Sequence, residues 1–575
     1  MPTTLTNSHA EFSYRTRQEN LERLTTETFD YIVVGGGITG AGIARDAAMR
    51  GRKVALVERE DFASGTSSRS SKLIHGGVRY LETYEFGLVF EASNERRRLR
   101  RIAPNMVLPL PFILPIYRGA KNGFLKIMAG MWLYDMLALF RNIQHHRMLL
   151  PNDVLKIFPS LRRDGLTGAA RYYDCSVDDA RLTLVTLLSA HRHGAVIVNY
   201  TTVTGLVKEG GKTRGVIAKD EIGGRELIVR GHAVISALGP WTDSILRMDD
   251  PDARPIMRPT KGVHFLVPRS RPGSDHALGY FSPRDGRLMF LIPWGDFSII
   301  GTTDTDYKGD LSAVYADGDD VDYILDAINA QFPGVNLTRD DIISTYAGVR
   351  PLVSEPGAHM TESQVSREHR IWQTPSGLLC IAGGKLTTYR SMAKQLVDVA
   401  ERKLHRETGK PIAPDPHTDR ESLFGTGEPG LQAGLETDAL AMIGNRLPAP
   451  VVHHLVRAYG PAYRSVVALL DEDASWASSL VLGLPYIWAE VVHAVRSEMA
   501  LTVTDVLARR LHILTEDREQ GLGCVQDVAA LMAAELGWNA EERERQIAAY
   551  RQEVERTRAY RGVQSPVSAS SLVHP

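Results

Sequence analysis

Cysteine is scarce in this chain: Cys175, Cys380 and Cys524 stand far apart among 575 residues, with no Cys-x-x-Cys pair. That spacing argues against a disulfide scaffold or a structural zinc site, no metal site is expected, and the usage fits a reducing compartment. An excess of one charge is lacking too, since 67 Lys and Arg face 68 Asp and Glu, a net charge of −1. This balance argues against a protein that coats nucleic acid. The first residues, MPTTLTNSHAEFSYRTRQENLERL, are polar and mixed in charge and lack the apolar run of a secretion signal. The expectation from them is a cytoplasmic location.

What is present begins at FDYIVVGGG, the first dense apolar run. A strand, a Gly-rich turn, a helix (ITGAGIARDAAMRG) and a second strand (KVALVE) follow in order, which is a βαβ opening. Short β-branched runs separated by Gly-containing turns predict sheet from about residue 199 to 305. After about residue 390 the apolar residues recur at helical spacing, beyond a Pro/Gly-rich linker at 410–430. The fold expected is α/β: a Rossmann-like dinucleotide domain, a sheet-containing substrate or cap domain, and a C-terminal helical domain.

Gly35, Gly37 and Gly40 form G-x-G-x-x-G between strand and helix. The first permits the tight turn, the second lets the backbone approach a pyrophosphate, and the third lets helix and strand pack closely. Glu58 ends the second strand, eighteen residues after Gly40, where a carboxylate can accept ribose hydroxyls. NAD and FAD share this fingerprint. For a nicotinamide enzyme the βα alternation should continue; instead SGTSSRSSKLIHGGVRYLE follows at 64–82, a polar segment able to thread along the pyrophosphate and isoalloxazine of a flavin. Ser67, Ser68, Ser70, Ser71, Lys72, Leu73 and His75 are its candidate cofactor contacts. GLLCIAGGKLTTYRSMAKQL adds a strand, Gly383 and Gly384, then Lys385, Leu386, Thr387 and Thr388 opening a helix whose N-terminus can face the reduced flavin's negative edge.

VVGGGITGAGIARDAAMRG, SSRSSKLIHGGVRYLE, YYDCSVDDARL, LIPWGDFSIIGTTDTDYKGD, YAGVRPLV and GGKLTTYR, with EMALTVTDVLARRLHIL near the C-terminus, resemble in that order the FAD-dependent, quinone-linked glycerol-3-phosphate dehydrogenases, part of the amino-acid-oxidase-like flavoproteins. SALGPW departs from the family pattern by carrying Leu238 where Thr is expected, although the turn at Gly239 is kept. The resemblance implies non-covalent FAD and oxidation of sn-glycerol 3-phosphate to dihydroxyacetone phosphate, with electrons passing to a membrane quinone. It also implies an FAD domain at 28–100, 171–245 and 345–405, and a cap at 101–170 and 246–344. Around these lie an N-terminal extension at 1–27, a helical domain at 418–558 and a flexible tail at 559–575.

That chemistry asks for cations on a phosphate, best supplied by the planar fork of Arg. Arg350 in AGVRPLV and Arg79 in HGGVRYLE are the candidates, with Lys385 able to meet phosphate or a developing alkoxide. It also asks for a base near the operating pH. His264 in KGVHFLV is the preferred base and His75 the flavin-proximal histidine. Thr302, Thr303 and Asp304 are read as turn and capping residues without a catalytic role.

Residues 96–147 hold ten Lys and Arg against a single acid, Asp135, around GFLKIMAGMWLYDMLALF. Eighteen residues interrupted by Lys126 and Asp135 are short for a spanning helix, which needs about 20 apolar residues. The expectation is an amphipathic helix lying on the inner face of the cytoplasmic membrane, within reach of quinone. Two other readings stay open, an oxidase using oxygen and a non-enzymatic membrane or RNA module retaining the fold; a flavin amine or amino-acid oxidase would want one cation for a carboxylate, and two arginines with Lys385 argue against it. Association as a homodimer is also left open.

Overall fold

The computed structural model describes residues 11–82, 84–120, 122–353, 368–427 and 432–562. Strand Thr28–Val34 is the centre of an eight-stranded sheet. It pairs in parallel with Val54–Val57 on one side and Glu226–Ser236 on the other, and Leu379–Gly383 and Val196–Val198 extend the parallel core. All of Thr28–Val34 except Thr28 is buried, as a parallel strand covered on both faces requires. Helices Ile38–Met49, Asp179–Arg192 and Tyr389–Thr408 contribute to the core on one face, around Ala44, Leu187 and Leu396. The strands of this sheet come from three separated stretches of chain, so the dinucleotide unit is discontinuous.

A second, ten-stranded sheet carries the other half of the groove. Its long antiparallel ladder pairs Met257–Pro268 with Ser344–Val353, from Met257 opposite Val353 to Leu266 opposite Ser344. Leu166–Ser176 and Leu73–Ile74 also belong to it. The boundaries expected at 171 and 345 therefore fall within or beside strands of this second sheet: one strand can end in the cap and begin at the flavin loop, which local pattern does not reveal.

The described part of the segment expected as an N-terminal extension is largely helix Tyr14–Thr26, packed against the dinucleotide sheet. Its Arg17 is fully buried, donating to the Asn199 carbonyl and pairing with Asp220 at 2.5 Å, and Asn20 donates to the Ile197 carbonyl. At the other end Tyr560, placed at the start of the expected tail, is buried in the cap core; residues 563–575 lie outside the described residues.

The C-terminal helices pack into their own clusters, around Leu455 and Val466 and around Val491 and Val528. They are clasped to the dinucleotide unit by charge. Asp61 accepts from Arg509 at 2.5 Å and from both terminal nitrogens of Arg510 at 2.7 and 2.9 Å, with Asp61 and Arg510 deeply buried and Arg509 partly so. Burial alone would raise the Asp61 carboxyl, but Arg510 and Arg509 outweigh it and hold it down at about 2.

The basic segment is also rearranged. Arg96 is buried against Asp174 and Tyr134, so it contributes nothing to a surface. Helix Phe124–Leu137 buries Met131, Tyr134 and Asp135. It turns Leu125 (73% exposed), Trp132 (58%) and Met136 (52%) outward, followed by Leu139 and Phe140. Its one acid lies inside, bonded to Asn142 and His146, and its large apolar residues lie outside. Among the described residues no helix is long and apolar enough to cross a membrane.

Candidate active site

The Gly-rich turn has the shape its residues demand. Gly35 adopts φ +113°, and a Cβ there would stand 2.7 Å from the Ala237 carbonyl oxygen; a Cβ on Gly40 would overlap the Gly35 carbonyl. Ile38 N–H, in the first turn of helix Ile38–Met49, donates to Ser67 Oγ at 2.9 Å. An oxygen of the 64–82 segment thus already sits where a helix N-terminus attracts phosphate oxygens. Glu58 Oε2 accepts from Gly36 N–H at 2.5 Å and Oε1 from Glu60 N–H at 3.0 Å. Burial raises this carboxyl, opposed by the two backbone donors.

From Glu58 a cavity of about 420 Å³ runs past Gly35 and Gly37 to Gly383, Gly384, Lys385 and Leu386. Ser67, Ser70 and Gly239 line it, and so does Leu238, the departure from the family pattern. Gly383 and Gly384 both take φ +80°, and a Cβ on Gly383 would stand 2.6 Å from the Glu368 carbonyl oxygen. Leu386–Thr388 form a turn that leads into helix Tyr389–Thr408. An elongated cavity lined by glycine backbone, bounded by a carboxylate at one end and a helix start at the other, fits an extended dinucleotide such as FAD.

The 64–82 segment continues from this cavity toward the second sheet and is tied down at each step. Ser68 closes the short helical turn Thr66–Ser68, and Leu73 is buried in strand Leu73–Ile74. Ser70 donates to Asp179 from both backbone and hydroxyl, and Lys72 Nζ pairs with Asp179 at 2.6 Å. His75 N–H donates to Thr387 Oγ1 at 3.1 Å, joining two of the predicted cofactor segments. Thr388 turns its hydroxyl toward the Lys385 carbonyl, and the Lys385 ammonium lies 3.5 Å from the centre of the Tyr80 ring. The side chain of Arg79 lies outside the described residues.

His264 is brought to the same place by the long ladder. Its ring stacks on Tyr346, its register partner, at 4.9 Å and 13°, and faces Gly301 on the neighbouring strand. A Cβ on Gly301 would stand 2.5 Å from the imidazole, so glycine is what admits the ring. His264 Nε2 lies 2.9 Å from Ser71 Oγ, and Nδ1 is buried without a hydrogen-bond partner among the described residues. Burial, then the charges of Arg350 and Lys72, push this histidine down to about 3, so it is a neutral imidazole at physiological pH.

Arg350 is held in a cradle that sequence reasoning had assigned to turn residues. Its guanidinium donates to Asp304 Oδ1 at 3.0 Å, Thr302 Oγ1 at 3.1 Å and the Thr303 carbonyl at 3.0 Å. Asp304 also pairs with Arg287 at 2.9 Å. Thr302, Thr303 and Asp304 therefore orient the predicted phosphate-binding arginine. Asp179, Tyr346 and Trp241, which lines the cavity with Arg59 stacked 4.4 Å above it, were also missed. GTTD directly after a strand was the one signal that pointed to the cradle.

A dinucleotide cavity lined by Ser70 and Pro351, the neighbours in sequence of Ser71 beside His264 and of the oriented Arg350, has the layout of a flavin-dependent oxidoreductase. Residues 30–396 match the family model of FAD dependent oxidoreductases, and 416–543 match the C-terminal domain of alpha-glycerophosphate oxidase. The glycerol-3-phosphate dehydrogenase 2 of Mycobacterium tuberculosis is 41% identical over 96% of this chain and 92% of its own length. The aerobic glycerol-3-phosphate dehydrogenase of Staphylococcus saprophyticus is 35% identical over 92% of this chain and 94% of its own. The crystal structure of glycerol-3-phosphate dehydrogenase from Bacillus halodurans complexed with FAD superposes with a TM-score of 0.79 at 31% identity, covering 96% of this chain and 100% of that one. The chain belongs to the FAD-dependent glycerol-3-phosphate dehydrogenase family.

Proposed function

We propose that this protein oxidises sn-glycerol 3-phosphate to dihydroxyacetone phosphate and passes the electrons to a quinone dissolved in the membrane. The observation that carries the reading is geometric: a guanidinium, Arg350, fixed by Asp304, Thr302 and the Thr303 carbonyl, stands on the strand that pairs with the strand of the buried His264. Arg350 and Lys385 bind the phosphate oxygens and so hold the three-carbon chain in one orientation. His264 Nε2, which faces the 64–82 segment across Ser71 Oγ, receives the proton of the alcohol, directly or through that hydroxyl. His75 fixes the segment against Thr387. FAD, when bound, supplies the hydride acceptor. Anaerobic mixing of the flavin-loaded protein with glycerol 3-phosphate should bleach the flavin band promptly, and a band that persists would refute the substrate.

The acceptor is the finer part of the proposal. The match of residues 416–543 to a domain described for an oxidase keeps oxygen as the second reading. Peroxide yield per substrate consumed separates the two: near-stoichiometric peroxide supports the oxidase, whereas quinone reduction with little peroxide supports the dehydrogenase.

Access to quinone suggests where the protein works. Leu125, Trp132, Met136, Leu139 and Phe140 make an exposed apolar ridge beside the exposed cations Arg97, Arg101, Lys126 and Arg141. An apolar ridge flanked by cations suits the inner face of the cytoplasmic membrane, with ring and aliphatic side chains in the headgroup region and arginines on anionic lipid. Flotation with anionic liposomes should carry the intact protein upward. Trp132→Asp with Leu125→Asp should leave it in the pellet fraction; equal flotation of both would remove this face from the reading.

A further inference from the structure

The C-terminal helices hold no residue of the site described above, yet two of their side chains reach the supports of that site. His512 Nε2 lies 2.6 Å from Asp178 Oδ2, and the His512 ring meets the Trp294 indole edge-on at 5.6 Å. Glu516 accepts the Trp294 indole N–H at 2.7 Å and the Tyr486 hydroxyl at 2.8 Å. Asp178 caps helix Asp179–Arg192, and its neighbour Asp179 holds Ser70 and Lys72. Burial opposes ionisation of Asp178, but His512 and Lys72 outweigh it and keep the carboxylate well below its usual range.

Lys72 is the point where these contacts converge. It is buried with a left-handed backbone at φ +53°, its ammonium pairing with Asp179 and lying 5.0 Å from the Trp294 ring and 5.9 Å from the Tyr346 ring. Tyr346 donates its hydroxyl to the Ser70 carbonyl and stacks on His264, while Ser71, between Ser70 and Lys72, hydrogen-bonds to His264 Nε2. The route from His512 to His264 thus runs through polar bonds, ring and cation–ring contacts and two chain-neighbour steps, Asp178–Asp179 and Ser71–Lys72, with its residues buried or half-buried. Buried networks of this kind rigidify what they touch.

We propose that His512 and Glu516 are positioning residues that set the placement of His264 through Asp178, Asp179, Trp294, Lys72 and Ser71. The C-terminal helical region then serves the oxidation site by holding the 70–72 segment and the imidazole in register, without touching substrate. This rests on the reading of His264 as proton acceptor given above.

The test compares flavin-loaded wild type with His512→Ala, His512→Gln, Ser71→Ala and the double variant His512→Ala/Ser71→Ala. Loosening a remote support by a fraction of an ångström should lower the limiting rate of anaerobic flavin reduction by about tenfold in His512→Ala. KM should stay within about twofold, because the phosphate contacts proposed for Arg350 and Lys385 lie elsewhere, and rates are taken per bound flavin because Ser70, in the loosened segment, lines the dinucleotide cavity. His512→Gln, which keeps an N–H for Asp178, should recover part of the rate, and the double variant should be no slower than Ser71→Ala. A wild-type rate in His512→Ala, or losses that simply multiply in the double variant, would overturn the proposal.

Trp294→Phe covers the case in which His512→Ala does not fold, since it keeps a ring over Lys72 and removes only the N–H that Glu516 accepts. Its amide hydrogen exchange should rise at 68–76 and 260–266 relative to wild type, and unchanged exchange there would equally overturn the proposal. If glycerol 3-phosphate fails to bleach even the wild type, the substrate reading fails on its own, and the exchange comparison still decides whether the C-terminal residues hold these segments.

Discussion

Gly262→Ala tests the placement of Arg350 without touching the arginine. Gly262 sits in strand Met257–Pro268 opposite Gly348, two residues before His264. A Cβ there would stand 2.6 Å from Arg350 Nη2 and 2.8 Å from both Cζ and Nη1. Ordinary contact begins at about 3.4 Å, so the guanidinium must retreat by roughly 0.8 Å. The obstacle is the tip of a long side chain, so the strand can keep its register while the arginine gives way. Its bonds to Asp304, Thr302 and the Thr303 carbonyl would stretch with it. Misplacement on that scale typically costs tenfold to a hundredfold, about 1.4–2.7 kcal/mol in kcat/KM. The assay is steady-state oxidation of glycerol 3-phosphate with an artificial acceptor, alongside flavin content and thermal unfolding. Intact folding and flavin with kcat/KM within twofold of wild type would refute the idea that Arg350, in this pose, orients the substrate.

Three further variants, His264→Gln, Asp61→Asn and Gly40→Ala, probe the same structure. His264→Gln should retain flavin and lower the rate of anaerobic reduction by about a hundredfold, the usual scale of a lost general base; an unchanged rate would remove it from the chemistry. The same variant should alter stability in acid: His264 titrates at about 3 when folded and 6.5 when free, so between those values the unfolded chain binds a proton that the folded chain does not. Stability therefore rises with pH across that window, and His264→Gln should flatten the slope in urea titrations. Asp61→Asn removes the carboxylate shared by Arg509 and Arg510, leaving Arg509 with Asp505 and Arg510 with the more distant Glu498, at a cost of about 3 kcal/mol, which should appear as early loss of the C-terminal helices in denaturant. Gly40→Ala forces a methyl group into the Gly35 carbonyl and should yield protein that no longer retains FAD on gel filtration.

Sequence alone determined whatever depends on residues near one another along the chain. The turn at Gly35–Gly40 calls for glycines, the carboxylate of Glu58 closes the next strand, and helical spacing marks the region beyond residue 430; a dinucleotide unit and a separate helical region follow from these local demands, and the polar 64–82 segment turns the choice from nicotinamide to flavin. Resemblance carried the reading on to the glycerol-3-phosphate dehydrogenase family, and it drew attention to Arg350 and His264. Only the tertiary structure decided how those residues are held and what state they take. Arg350 is oriented by Thr302–Asp304, some 46 to 48 residues away in the chain, and His264 is kept neutral by burial and two distant cations. The same holds for the helix at 124–137: the sequence marked it as amphipathic, but only the fold decided that Asp135 turns inward to His146 and Asn142 while Leu125, Trp132 and Met136 turn outward. Burial, pairing and protonation depend on partners brought together by folding: Arg350 and Asp304 are 46 residues apart, and even Asn142, seven residues from Asp135, becomes its partner only when the chain turns back on the helix.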